Sequence, residues 1–111
     1  MSEYKQDILN YGDDVNDFDS SPFESLRMLH DRTNIHMVQN KLEFEEKVLL
    51  GYYDLKLIEN ANKMVKRLRN VYDFKLSDEN KIPHEQWWWH LNKIAEGMMD
   101  FGISTEKGKA I

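Results

Sequence analysis

The side chains here that can carry chemistry are four histidines, twenty acids and a run of three tryptophans, and the spacing of each set says what it can do. His30 and His36 are six residues apart, as are His84 and His90. A helical two-histidine metal site uses positions i and i+4, so neither pair shares a face, and His84-Glu85 followed by His90 is not H-E-x-x-H. The acidic run Asp13-Asp14-Val15-Asn16-Asp17-Phe18-Asp19 lacks the turn glycine and the closing glutamate of a calcium loop. The chain has no cysteine, hence no disulfide, thiol nucleophile or thiolate metal site. There is no glycine-rich phosphate loop and no nucleophile–base pair. The expectation is therefore no catalytic residue, no resident metal and no cofactor.

One carboxylate pattern stands apart. Glu43-x-x-Glu46, then Glu59-x-x-Asn62, resembles the E-x-x-E…E-x-x-D pattern of the MazG-like all-α nucleotide pyrophosphohydrolases, over about 20 residues of the chain. The resemblance implies Mg²⁺ held by Glu43, Glu46, Glu59 and Asn62 and a nucleoside triphosphate substrate. Asn62 stands where the pattern has Asp, which removes a charge from a site for hard cations. On one continuous helix Glu43 and Glu59 would lie about 24 Å apart, so this alternative requires a sharp turn near Gly51.

Trp87-Trp88-Trp89 cannot all bury against one neighbour if they are helical, because successive residues turn about 100°. In a helix from Pro83 to Phe101, Trp87 joins Leu91, Ile94, Met98 and Phe101 in an unbroken apolar stripe. Trp88 then forms a shoulder with Ala95 and Met99, and Trp89 projects among Lys93, Glu96 and Asp100. Trp88 and Trp89 are accordingly the expected partner anchors, since tryptophan is enriched at interface hot spots.

Charge is distributed unevenly. Between Ser2 and Glu24 lie the acids Glu3, Asp7, Asp13, Asp14, Asp17, Asp19 and Glu24 against Lys5 alone. Between Lys63 and Lys75 lie Lys63, Lys66, Arg67, Arg69 and Lys75 against Asp73. Lys63, Lys66 and Arg67 form a basic face, suited to a solvated surface, to the acidic arm or to nucleic acid. The net charge of −5 disfavours general nucleic-acid binding, so that reading stands last.

The elements that position these residues follow from their punctuation. Residues 1–20 hold a Gly-Asp-Asp turn signal and scattered acids and read as a flexible acidic arm, with Tyr11 and Phe18 among the apolar residues that could dock on a surface. Ser21-Pro22-Phe23-Glu24 reads as a capping box opening a short helix, which Asp31-Arg32-Thr33-Asn34 should break. A long central helix is expected over 35–73. Its stripe runs through Phe44, Val48, Gly51, Leu55 and Ile58, then shifts to Leu57, Ala61, Met64, Val65, Leu68 and Tyr72. Such a helix either bends near Gly51 or outruns the domain, and its far half then needs a partner. The last helix should stop at Gly102, with Ile103 folding back on Met98.

The expected architecture is thus all-α: an acidic arm (1–20), a helical domain (21–103) and a frayed tail (104–111). No apolar run reaches the roughly 18–20 residues that span a bilayer, and the N-terminus lacks the order of a signal peptide, so the expectation is a cytoplasmic protein without a membrane partner. Excess aromatic surface beside missing catalytic constellations points to a non-enzymatic protein–protein interaction module. The expected class is a small bacterial or phage regulator, inhibitor or assembly protein, homo-oligomeric with a dimer favoured.

Overall fold

A computed structural model describes residues 4–97. Among them the chain is all-α: α1 (Lys5–Val15), α2 (Pro22–Met37), α3 (Phe44–Glu59), α4 (Ala61–Leu68), α5 (Lys75–Glu79) and α6 (Leu91–Ala95), with 3₁₀ turns at Gln39–Lys41 and Trp87–His90. α1 packs on α2 and α3, α2 on α4, and α4 on α6. No helix among the described residues is long and apolar enough to cross a membrane. The expected stop at Gly102 and the tail at 104–111 lie outside the described residues.

The first correction concerns the N-terminal arm. Residues 5–15 are a helix whose Ile8, Tyr11 and Val15 recur on one face and are wholly buried. The Gly-Asp-Asp turn signal is overridden by packing. Gly12 sits inside α1, and a Cβ there would collide with the ring of Tyr53 from α3. Glycine is present because α3's tyrosine lies on the α1 backbone, not because the chain turns. The helix ends at Asn16, whose side-chain amide donates to the Gly12 carbonyl at 3.1 Å.

The linker from α1 to α2 is tied down by Arg67. Its guanidinium donates to the carbonyls of Phe18 (2.6 Å), Ser20 (2.7 Å) and Ser21 (3.3 Å), and to Ser25 Oγ (3.2 Å). The planar fork of arginine suits such convergent acceptors. Asp17 shapes the same linker by accepting the N–H groups of Asp19 and Ser20, which holds its carboxyl below the usual carboxylate range.

α2 starts as expected at Ser21 and Pro22, with Ser21 Oγ accepting from the Phe23 amide at 3.2 Å; Glu24 pairs with Arg27 instead of closing a capping box. The expected break at 31–34 is absent. Arg32 and Thr33 look like interruptions in an apolar pattern, but each turns toward the interior and finds partners there. The chain breaks at 38–43 instead. There Glu43 opens α3 and its amide donates to Glu46 Oε1 at 2.8 Å.

α3 continues through Gly51, which excludes a bend there, but the single helix expected over 35–73 is interrupted at 38–43 and again at Asn60, before α4. The shift in apolar stripe noted in the sequence marks this change of element. Replacing Arg67 by Met should release the linker: we expect a loss on the order of 2–3 kcal/mol in urea unfolding and new protease cutting between residues 16 and 21.

Candidate functional site

A polar cluster beside the apolar core ties α1, α2 and α3 together. Asp54 on α3 receives Arg32 of α2 in a two-pronged ion pair, Nε to Oδ1 at 2.9 Å and Nη2 to Oδ2 at 3.0 Å. The Tyr11 hydroxyl of α1 donates to the same Oδ1 at 2.6 Å. Burial first, then the Asp54 charge, raises the Tyr11 hydroxyl well above its ordinary pKa, with Arg32 opposing. The hydroxyl therefore stays protonated and donating. The Arg32 guanidinium also lies 4.2 Å from the ring centroid of Trp88, a cation–π contact. With both its oxygens engaged, Asp54 is a structural hub, not a free base.

Trp88 and Trp89 belong to this interior. Trp88 is 0% exposed and Trp89 7%, whereas Trp87 is only half-buried. This inverts the expected order, in which Trp87 was core and the other two were partner anchors. The reason lies in the neighbours: the expected helix from Pro83 is replaced by a 3₁₀ turn at 87–90, which sets Trp88 against Arg32 and His36 of α2 and Trp89 between His30 and Tyr72. Both buried indoles solve their polar problem on one atom. Trp88 Nε1 and Trp89 Nε1 donate to Thr33 Oγ1 at 2.9 and 2.7 Å, and that hydroxyl donates onward to the Leu29 carbonyl at 3.1 Å. Thr33 thereby uses two acceptor sites and its one donor. His36 and His30 meet the edges of Trp88 and Trp89 at 5.5 and 5.0 Å.

The other expected site residues are also claimed by the fold. Tyr11 is fully buried in the Asp54 cluster, and Phe18 packs half-buried against the core with Lys63 Nζ 4.5 Å from its ring centroid. Of the basic face, Arg67 is committed to the α1–α2 linker, while Lys63 and Lys66 remain exposed. The four positions of the carboxylate pattern are not brought together. Glu43 and Glu59 bound opposite ends of α3, about 24 Å apart by helical rise. Glu46 is buried and occupied with the Glu43 amide, and Asn62 is exposed on α4. The turn at Gly51 that this reading required is missing. Among the described residues no three His, Asp or Glu side chains are placed to share a metal ion.

What sequence reasoning missed as a surface is the outer face of α3. Phe44 is 79% exposed, Val48 56%, Tyr52 54% and Leu55 51%. Opposite them, Leu50 and Leu57 are buried in the core. A helix apolar on both sides is ordinarily buried on both sides, yet here only one is covered. Beside the stripe, Val48, Gly51, Tyr52, Asp54, Leu55, Ile58 and Trp87 line an open groove of about 550 Å³. The signal was legible: Phe44, Val48, Gly51, Leu55 and Ile58 form a stripe in the sequence, but a stripe does not say which face meets the core.

The chain matches no protein-family model, curated protein or solved structure.

Two predictions test the interior. Thr33→Val keeps the shape but leaves two indole N–H groups without an acceptor; it should cost about 2–4 kcal/mol in urea unfolding, and Thr33→Ser should restore most of this. Burial holds His90, 1% exposed, below its ordinary pKa of 6.5; the Ile82 carbonyl, 2.8 Å from Nε2, and Asp78 pull the other way, and Lys93 and His84 add to the depression. Below pH 6.5 the unfolded chain therefore binds a proton that the folded chain refuses. The stability from this group is complete above that pH and declines as pH falls toward the depressed folded value. The urea midpoint should drop between about pH 7 and pH 5.5, and His90→Gln should shrink the drop.

Proposed function

We propose that this protein is a non-enzymatic protein–protein interaction module that engages its partner through the outer face of α3. One observation carries the reading: Phe44, Val48, Tyr52 and Leu55, each more than half exposed, stand in a single row on a helix whose other side is already core. Trp87, the half-buried member of the tryptophan run, closes one side of the groove next to that row. A contiguous apolar strip edged by charge is how contact surfaces are commonly built, and a half-exposed tryptophan at its margin is a typical anchor. The proposal keeps the interaction class expected from composition but moves the contact surface from Trp88, Trp89 and the N-terminal segment to α3. A surface of this kind serves a small regulatory, inhibitory or assembly protein, which acts by occupying another surface rather than by turning over a substrate.

The test places a photoreactive residue at Val48, and separately at Lys66 on the basic face, in the cell that makes the protein. Illumination should yield a covalent protein adduct from position 48 and none from position 66, whether the adduct is another protein or this one. Absence of protein adducts from position 48 and also from Leu55 and Trp87 would overturn the proposal. Val48→Asp should weaken partner binding at least tenfold while changing stability by less than about 0.5 kcal/mol, because the side chain contributes little to the core.

A further inference from the structure

We propose that the outer face of α3 is covered by the same face of a second copy of this chain, the two α3 helices lying antiparallel about a two-fold axis beside Gly51. The inference rests on the reading of that face as the contact surface and names its occupant.

The charges on α3 are arranged for this. At about 100° per residue, Glu45 and Lys56 fall on one edge of the apolar stripe and Lys47 and Asp54 on the other. A two-fold axis perpendicular to antiparallel helices brings like edges together. An axis level with the midpoint between Leu50 and Gly51 sets Glu45 of one copy opposite Lys56 of the other. The same axis sets Lys47 opposite Asp54. One placement thus sets opposite charges level on both edges; on the first of them Glu59 of the same copy stands beside Lys56 at 3.7 Å, so the second copy's Glu45 would share that lysine. Of the two edges, the Glu45–Lys56 edge carries the pairing: Asp54 borders the groove that Lys47 and Gly51 line, but both its oxygens are already held by Arg32 and Tyr11. Along the stripe, Phe44 of one copy then lies over Ile58 of the other. A parallel pair would instead crowd the acidic first turns at Glu43 and Glu45 against each other and align the two helix dipoles unfavourably.

Gly51 is the second observation. Glycine within a helix costs roughly 0.5–1 kcal/mol relative to alanine. Gly12 has an internal reason for that cost, the Tyr53 ring, and Gly97 has one in its φ of +71°. Gly51 has neither: its φ is helical and a Cβ would meet nothing within 4 Å. Within one copy nothing requires a glycine there. At the crossing point of two helices it lets the backbones approach closely, which is where a bare Cα is useful.

The row of side chains offers on the order of 400–500 Å² per copy. That places the pair in the small, reversible class of interfaces.

Sedimentation of the purified full chain across about 1–500 µM at low salt tests this. We expect a reversible dimer that Leu55→Glu abolishes. Glu45→Lys and Lys56→Glu should each weaken it about tenfold, and the two together should return it to within about threefold of the starting affinity. Because the chain has no cysteine, Gly51→Cys should form an intermolecular disulfide on mild oxidation, while Lys66→Cys should not. A dimer insensitive to Leu55→Glu, or a double charge exchange without rescue, would overturn the arrangement. So would a monomer throughout this range. If such a monomer still yields adducts with a different protein from position 48, the contact-surface reading stands and the self-partner fails. If it yields none, both fail. A monomer whose Gly51→Cys thiol reacts with alkylating reagent only after residues 98–111 are removed would assign the groove to the chain's own C-terminal segment, which also overturns the proposal.

Discussion

The Asp54 carboxylate is the constraint on which the rest of this structure depends. It receives Arg32 from α2 and Tyr11 from α1, and Arg32 in turn lies on the face of Trp88. Three helices and the tryptophan turn are therefore registered by one anion. Removing Arg32 would leave the Asp54 charge without its partner in a site mostly covered by protein, which is strongly destabilising. Thr33, one residue on from Arg32, extends the same logic to the two indole donors. The interior is specified by polar geometry as much as by hydrophobic burial.

That arrangement also decides what is left outside. Because Asp54 faces α1 and α2, the side of α3 carrying Leu50 and Leu57 is drawn into the core and the side carrying Phe44, Val48 and Leu55 is turned out. The outward side is as apolar as the inward one. The exposed row is a consequence of the hub's orientation, and it is the surface on which the proposed contact rests. Gly51, with open space where its side chain would be, sits at the middle of that strip.

Several features were legible from the residues alone. Ser21 and Pro22 opened a helix as capping chemistry requires, and the change of apolar stripe past Ile58 marked a real change of element. Other readings failed for identifiable reasons. Gly12 reads as a turn because a glycine demanded by a distant tyrosine looks the same in sequence as one demanded by the backbone. Arg32 and Thr33 read as a helix break because a buried polar residue is distinguishable from a solvated one only by its partners, here 22 and more residues away. The order of the tryptophans is not legible in the sequence because Arg32, Thr33 and Tyr72, which enclose Trp88 and Trp89, are distant in the chain and the turn at 87–90 is 3₁₀, not α-helical.

The sequence by itself determined the class of fold, the lack of cysteine among its residues and the two apolar stripes of the segment that became α3 and α4. These follow from composition and periodicity, which are properties of the chain before it folds. Tertiary structure alone decided which apolar stripe became core and which became surface. It also decided which carboxylate became the hub, and that Glu43, Glu46, Glu59 and Asn62 do not meet. Periodicity gives the angle between two faces of a helix but not the direction either one points. Direction is set by long-range partners such as Arg32 and Tyr11, whose identity is fixed only when the helices pack.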